Sequence, residues 1–126
     1  MSTLALESIE HKSFKLAPSL EEPDLLVRFS GTGDLDAIEA LATFLPKVHA
    51  AALELGAREV KFDFRDLEFM NSSCFKAFVT FIDSARSSAA SYRIRFITSP
   101  QHHWQRRSLE ALRRLAMGLV TIQPDA

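Results

Sequence analysis

The sequence predicts an α/β domain built on a mainly parallel β-sheet, and two observations carry this prediction. Stretches whose apolar residues recur at every second position alternate along the chain with longer stretches whose apolar residues recur every three or four positions. Strands that alternate with helices of this kind are joined by right-handed crossovers, which place the strands parallel in one sheet. The length of 126 residues corresponds to one domain.

The N-terminal part has the weakest pattern. Residues 1–12 show no strong period and are expected to be a loosely structured lead-in or a short edge strand, which leaves residues 13–123 as the folded domain. Ser13–Leu16 alternates weakly and is interpreted as a strand. Ala17–Ser19 contains a proline and is predicted to be a turn.

A clearer strand and a long helix follow. Leu25–Phe29 is predicted to be a strand that stops at Ser30–Gly33. The helix opens at Asp34, whose charge suits the positive end of the helix dipole, and Gly56 ends it as a C-cap. Pro46 lies inside the helical pattern and is expected to kink or split the helix.

The central stretch changes its period within a few residues. Val60–Arg65 alternates apolar and charged residues as a strand does, and Phe69 and Met70 belong to a short connection. The next helix has one apolar face, formed by Phe75, Phe78, Val79, Ile82 and Ala85. Asn71–Ser73 falls where this helix must begin, and Asn and Ser are favoured N-cap residues.

The last part contains one more strand–helix–strand unit. Tyr92–Ile97 is predicted to be a strand. Ser99 and Pro100 are expected to start the final helix, with the serine as N-cap and the proline at the first helical position. Gly118 ends that helix, and Leu119–Ile122 forms a short final strand.

The composition argues against several classes of protein. A formal net charge of −1 gives no global field that would steer the chain to nucleic acid or to a membrane, and no apolar run is long enough to cross a bilayer. A single cysteine allows no internal disulfide and no cysteine-rich metal site. The N-terminus lacks the basic region of a secretory signal, so we expect a cytoplasmic protein without membrane insertion.

Two hydroxyls at the start of the central helix are the main candidates for function. Free backbone N–H groups and the positive end of the helix dipole would stabilise a phosphate on Ser72 or Ser73. The alternative is that both serines only cap the helix.

Two further features near helix starts suggest chemistry more weakly. Gly31–Gly33 follows a strand, but a dinucleotide fingerprint needs another glycine where Asp36 stands. Cys74 is close enough to a helix start for the dipole to lower its pKa and make it a redox sensor. The alternative is that this cysteine is a small apolar filler.

Neither the histidines nor the arginines form a recognisable reaction centre. The four histidines are His11, His49, His102 and His103. None can be placed beside Ser72 as a base, and none has a partner at metal-ligand spacing, so no catalytic residue, metal or cofactor is expected. The last helix carries a basic stripe of Arg106, Arg107, Arg113 and Arg114. It could meet an acidic partner or phosphate, but Glu110 lies four residues from two of the arginines, which favours a solvated, ion-paired face.

The stretch Leu67–Cys74 resembles the signature of the STAS domain (sulphate transporter and anti-sigma factor antagonist). Single-domain members read Asp-Ser-Ser-Gly or Asp-Ser-Thr-Gly here, after a strand that ends in Asp-Leu, and Asp66-Leu67 matches that lead-in. Phe29–Gly31 and Leu35-Asp36 resemble the family's strand, glycine and first long helix. The similarity in element order covers residues 13–123.

The resemblance implies a sheet of about five strands with helices mostly on one face, and a regulatory domain without catalysis of its own. In the family's anti-sigma factor antagonists, a histidine-kinase-like serine kinase phosphorylates the serine that follows the Asp, here Ser72. A metal-dependent serine phosphatase removes the phosphate, and the unmodified form binds the kinase or anti-sigma factor. Asn71 replaces the family's Asp and Cys74 replaces its Gly, which removes a charge and adds a side chain beside the acceptor.

Carried onto this chain, the resemblance predicts a switch in which phosphorylation of Ser72 weakens the docking of a protein partner. The docking surface is expected to include Phe69, Met70, Asn71, Ser73, Cys74 and Lys76. The alternative is a STAS binding or scaffold subunit that works without phosphorylation, which the departures at Asn71 and Cys74 favour.

Overall fold

Six strands and three helices form the fold of residues 6–11, 13–21, 23–87 and 92–124, the part of the chain that the computed structural model describes. The elements are β1 (Ile9–His11), β2 (Phe14–Glu21), β3 (Asp24–Gly33), α1 (Leu35–Leu55), β4 (Glu59–Met70), α2 (Phe75–Ser87), β5 (Arg93–Thr98), α3 (His103–Leu115) and β6 (Val120–Pro124). A single 3-10 turn, Ser72–Cys74, precedes α2.

The six strands form one sheet in which their spatial order is their order in the sequence. β1, β2 and β3 are antiparallel neighbours, whereas β3, β4, β5 and β6 are parallel neighbours with one helix between each pair. The predicted α/β fold with a mainly parallel sheet is therefore confirmed. The sheet has six strands rather than about five, because the N-terminal residues add an antiparallel edge.

The described N-terminal residues belong to the sheet and its core. Leu6 is only 8% exposed, and Ile9–His11 pairs with the start of β2 as a short edge strand. Residues 6–11 thus follow the edge-strand alternative and not the loosely structured lead-in. Residues 1–5 and Lys12 lie outside the described residues.

β2 continues through the segment that was predicted to be a turn. Pro18 pairs with Val27 of β3 inside an eight-residue strand. The pairing of β1 with β2 reaches only to Leu16, so among the described residues no strand pairs with the outer edge of β2 at Pro18, and a residue without an amide hydrogen is tolerated there. Pairing with β3 therefore overrides the local turn preference of Ala17–Ser19.

α1 begins and ends where the sequence predicts. Asp34 is the N-cap, with its carboxylate accepting from a backbone N–H two residues later, and Gly56 is a left-handed C-cap with a φ of 65°. Pro46 does not split the helix, which is continuous across it. Pro46 is exposed, whereas Leu45 and Val48 beside it are buried, so packing holds both halves of the helix on the sheet.

The core lies between one face of the sheet and the three helices, all of which contribute to a single apolar cluster. Its centre contains five phenylalanines without exposed surface: Phe29, Phe62, Phe64, Phe78 and Phe96. Their rings are mostly edge-to-face or tilted, as aromatic quadrupoles prefer, and the centroids of Phe29 and Phe64 are 4.7 Å apart. The expected arrangement of helices on one face of the sheet is thus present.

The opposite face of the sheet carries ion pairs. Asp63 on this face is 2% exposed, since Arg65 and Arg28 lie over it. Burial opposes ionisation of this carboxyl, but the hydrogen bonds and charge of Arg65, together with the charge of Arg28, outweigh burial and lower its pKa. The ionised Asp63 carboxylate and its two arginines therefore stabilise the fold fully at a pH above the ordinary carboxyl pKa. This stabilisation is lost as the pH falls through the lowered pKa of Asp63.

α3 begins later than predicted, at His103. The Ser99 hydroxyl accepts from the N–H of Gln101 (3.2 Å), and the Ser99 carbonyl accepts from the N–H of His102 (3.1 Å). Ser99 and Pro100 thus form a tight turn after β5 and not the first residues of the helix, a use of Ser-Pro that local sequence does not distinguish from a helix start.

Candidate functional site

The chain passes from β4 into α2 at the end of the sheet where β3 also leads into α1, that is, at the carboxyl ends of these two parallel strands. This end of the sheet is called the edge at Ser72 below. β3 and β4 are both longer than predicted, because Thr32 and Gly33 pair with Phe69 and Met70. The predicted end of β3 at Ser30–Gly33 and the predicted connection at the end of β4 are therefore wrong. Two register shifts in this pairing mark bulges, which bend a strand and re-aim its end.

The end of β4 is held from the side by α3. β5 pairs with β4 only as far as Asp63, so later carbonyls of β4 have no partner in β5. The buried Gln105 amide donates to the carbonyls of Phe64 (2.7 Å) and Leu67 (2.9 Å), and its oxygen accepts from the N–H of Ser99 (3.0 Å). This side chain thus takes the place of the missing strand.

We expect Gln105→Leu to lower the free energy of unfolding by about 2–4 kcal/mol, because two carbonyls and one N–H would remain buried without partners. Leucine is similar in size, so a cavity adds little to the loss. Urea denaturation followed by circular dichroism measures the change. Gln101→Leu, at an exposed position in the preceding turn, is the control and should shift stability by no more than about 0.5 kcal/mol. Equal losses of stability in the two variants would show that the hydrogen bonds of Gln105 do not hold the end of β4.

Asn71 organises the turn that carries the two candidate serines. Its N–H donates to the carbonyl of Gly33 (2.6 Å), which ties the turn to the end of β3. Its side-chain oxygen accepts from the N–H of Ser73 (2.9 Å), and its carbonyl accepts from the N–H of Cys74 (2.9 Å). Asn71 is therefore the N-cap of the 3-10 turn, as its residue type and position predict.

The structure separates the predicted site residues into exposed and buried ones. Ser72 and Lys76 are exposed, Phe69 is 48% exposed, and Asn71 and Ser73 are partly buried. Ser72 is thus the more accessible of the two hydroxyls. Met70 is 3% exposed and Cys74 has no exposed surface, so the expectation that their side chains contact a partner does not hold in this fold.

Cys74 packs beneath the turn, where its sulphur lies 3.8 Å from the carbonyl oxygen of Asp34. Burial is the main reason that the pKa of this thiol is raised to about 11, and the nearby Asp34 carboxylate adds to the shift. A hydrogen bond with the backbone of Asn71 opposes it. The idea that the helix dipole makes Cys74 a reactive thiol is therefore wrong, and the core-filler alternative fits.

We expect the Cys74 thiol to be nearly inert at pH 8 in the folded protein. A pKa of about 11 instead of 9 lowers the thiolate fraction about 100-fold at this pH, and burial hinders access further. The rate of reaction with Ellman's reagent, measured in buffer and in urea, tests this. Reaction in buffer should be at least about 100-fold slower than in urea; similar rates would mean that the thiol is exposed.

The surface beside Ser72 is more apolar than the sequence indicated. Leu35, which follows the N-cap of α1, is 71% exposed, and Phe69 adds a second exposed apolar side chain at the same edge of the sheet. Phe75 and Trp104 are partly buried with ring centroids 6.2 Å apart, and the indole N–H donates to the carbonyl of Glu68 (2.7 Å). The spacing of Leu35 does not match that of the buried α1 residues such as Leu41, Leu45 and Val48. This mismatch was the one signal in the sequence that Leu35 would be exposed.

Other possible reaction centres are not assembled in the described part of the chain. His49 Nδ1 lies 2.6 Å from the hydroxyl of Tyr92, and no histidine among the described residues hydrogen-bonds to Ser72. Within the same residues, no group of three or more His, Cys, Asp or Glu side chains is arranged to hold a metal ion. None of the described helices has both the length and the apolar character needed to cross a membrane.

Comparison with known proteins gives matches of structure only. No protein-family model and no curated protein sequence matches the chain. An anti-sigma factor antagonist from Mycobacterium paratuberculosis superimposes with a TM-score of 0.64 at 14% identity, over 90% of this chain and 87% of that one. The anti-sigma factor antagonist SpoIIAA in its unphosphorylated form superimposes with a TM-score of 0.57 at 18% identity, over 86% of each chain.

The chain has the STAS fold. A second structure of SpoIIAA, the Bacillus cell fate determinant in its phosphorylated form, agrees, with a TM-score of 0.52 at 19% identity over 86% of this chain and 89% of that one. These identities are low, so the likeness establishes the fold of the chain and not the role of any residue.

The glycines at the end of β3 do not form a phosphate-binding loop. Thr32 N–H donates to the carbonyl of Ser13 (2.9 Å), so the segment Gly31–Gly33 is a strand packed against the start of β2. A Cβ on Gly31 would lie 1.7 Å from the Ser13 oxygen. The glycine is needed for this close approach, and the dinucleotide alternative does not fit.

Proposed function

We propose that this chain is a regulatory protein-binding domain that acts as an anti-sigma factor antagonist and is switched by reversible phosphorylation of Ser72. The observation that carries the proposal is the exposed Ser72 hydroxyl, on a turn held by Asn71 at the edge where α1 and α2 start. Solved structures with the same fold are anti-sigma factor antagonists, one of them in unphosphorylated and phosphorylated forms. This makes a similar use of the fold the first hypothesis to test.

The surface around Ser72 suits a partner that buries apolar area next to one positive charge. Leu35 and Phe69 supply exposed apolar surface, and Lys76 lies four residues after Ser72. A phosphate on Ser72 adds a charge of about −1.5 to −2. A partner that packs there must then remove water from that charge, which weakens binding.

A phosphate on Ser72 would gain little from the turn that follows it, because three backbone donors of that turn are occupied. The N–H groups of Ser73, Cys74 and Phe75 are already bonded within the turn, to Asn71 and to carbonyls of the turn itself. The expectation of several free N–H groups at this helix start is thus corrected. This favours a switch in which the phosphate itself hinders the partner over one in which the phosphate rearranges the domain.

The second candidate is a STAS binding subunit whose docking is independent of phosphorylation. The occupied N–H groups favour it, because a phosphate on Ser72 would gain little from the backbone. Asn71 also removes the carboxylate that the family's kinases meet beside the acceptor. In this case the apolar edge at Leu35 and Phe69 would bind a constant partner.

The proposed partners are a histidine-kinase-like serine kinase or an anti-sigma factor, with a serine phosphatase that restores the unmodified form. The proposed compartment is the cytoplasm, and in this proposal the domain has no catalytic role.

Protein purified from its native cells should contain a phosphopeptide that spans residues 66–76. Pull-down with unphosphorylated protein should recover the kinase or anti-sigma factor. A phosphopeptide that is absent under every growth condition, with a partner still recovered, would favour the constant binding subunit.

A further inference from the structure

α2 and α3 lie side by side on the sheet, and a groove runs between them with a contact at each end. At the end near Ser72, the ring centroids of Phe75 and Trp104 are 6.2 Å apart. At the other end, the Arg86 guanidinium donates to the carbonyl of Leu115 (2.8 Å), beside a hollow of about 180 Å³. From Trp104 to Leu115 the groove is about 16 Å long, or about three helical turns.

The floor of this groove is apolar and open to solvent. One stripe of α3 faces α2, because its residues recur every three or four positions and its two ends make the contacts with α2. The stripe consists of Trp104, Ser108, Ala111 and Leu115. Val79 of α2 is 42% exposed and lines the hollow together with Leu115, which is 47% exposed, and Ala111 is exposed as well. The described residues therefore leave apolar surface uncovered along the groove.

The charges beside the groove that lack a partner are positive. On α2, Lys76 follows Phe75. On α3, Arg107 lies one turn before Ala111, and both line the same surface. Lys76 and Arg107 are exposed, and neither has an ion pair or hydrogen bond with any residue that the structure describes. The acids beside the groove are already paired with arginines, as Asp83–Arg86 (3.0 Å) and Glu110–Arg113.

We propose that the groove between α2 and α3 binds an amphipathic helix of a partner protein. The apolar side chains of that helix lie on the floor of the groove, and its acidic side chains meet Lys76 and Arg107. Apolar residues three or four apart on such a helix match a floor of about three turns.

The shape and the charge of the groove together favour this occupant over other anionic partners. The floor lies between two helices, so a flat lipid bilayer does not reach it. A nucleic acid offers phosphates to Lys76 and Arg107 but no aliphatic side chains for the floor. An acidic amphipathic helix satisfies both parts of the surface, and its binding does not require phosphorylation of Ser72.

Fluorescence polarisation of the full chain with two labelled helical peptides tests the proposal. The acidic peptide carries leucines at spacings of three and four residues with glutamates on both sides of them, and the basic peptide has lysines in place of the glutamates. The acidic peptide should bind with a Kd on the order of 10–100 μM, and the basic peptide at least about 10-fold more weakly. Added salt should weaken binding of the acidic peptide.

The apolar floor is tested by Ala111→Gln, which places a larger polar side chain in the middle of the groove. This variant should bind the acidic peptide about 10-fold or more weakly than the parent. Ala50→Gln is the matched control, because it makes the same substitution at an exposed position of α1 and should leave binding unchanged. Circular dichroism should show that both variants are folded.

The charges are tested by the double variant Lys76→Gln/Arg107→Gln, which should weaken binding of the acidic peptide by roughly 3- to 30-fold. The double variant Lys47→Gln/Arg58→Gln removes the same charge from exposed positions outside the groove and should leave binding nearly unchanged.

Absence of binding at millimolar acidic peptide, or equal binding of the two peptides, would overturn the proposal. An Ala111→Gln variant that binds like the parent would overturn it as well, as would equal losses in the two charge variants. Binding of heparin or of phosphatidylglycerol vesicles through Lys76 and Arg107, in place of the acidic peptide, would assign these cations to a nucleic acid or a membrane instead.

Discussion

Ser72→Asp is expected to weaken partner binding by roughly 10- to 100-fold, while Ser72→Ala binds like the unphosphorylated parent. A carboxylate at this exposed position places a negative charge within the proposed contact between Leu35, Phe69 and the partner, and that charge loses water when the partner docks. Its hydroxyl makes no hydrogen bond with the described residues, so Ser72→Ala removes no contact that holds the turn. Titration of the partner recovered by pull-down, by calorimetry, measures both variants.

Ser84→Asp is the matched control for charge on α2. Ser84 is exposed near the C-terminal end of α2, about three helical turns beyond Ser72, so its substitution adds the same charge away from the proposed contact. Its binding should equal that of the parent. If Ser72→Asp also binds like the parent, no switch acts at this residue, and the constant binding subunit becomes the better description.

Gly31→Ala is expected to lower the free energy of unfolding by about 3–5 kcal/mol. The added Cβ would lie 1.7 Å from the Ser13 carbonyl oxygen, a backbone atom that cannot move without shifting β2 relative to β3. The residue also has a φ of 86°, which an L side chain adopts only with strain. Urea denaturation measures the loss.

Gly56→Ala separates the two causes. Gly56 also has a positive φ, 65°, but a Cβ there would meet nothing within 4 Å. It should cost only about 1 kcal/mol, the conformational term alone. A similar cost at both glycines would mean that the contact between Gly31 and Ser13 gives way easily and does not fix the pairing of β2 with β3.

Local chemistry predicted the elements whose ends are decided by a few neighbouring residues. Asp34, Gly56 and Asn71 are caps in the structure, because a short polar side chain or a residue without Cβ acts on the backbone next to it. The order of strands and helices was likewise predicted from local sequence, because the spacing of apolar residues changes between strand-like and helix-like stretches.

Long-range contacts decided the features that were mispredicted. Pro18 lies in a strand because β3 pairs with it, and β4 reaches Met70 because β3 continues beside it and Gln105 takes over from β5. The burial of Cys74 likewise depends on α1, which is distant in sequence. The spacing of apolar residues and the preference of a residue for a helix cap contain no information on contacts with residues that are distant in sequence.

Trp104 gives this chain an optical reporter at a useful place. It is the only tryptophan in the sequence, and its ring lies 6.2 Å from that of Phe75, three residues after Ser72. Its indole N–H is bonded to the carbonyl of Glu68, just before the turn. Indole fluorescence responds to polarity and hydrogen bonding, so a phosphate or a visiting protein at this edge can be followed by emission from the unlabelled protein.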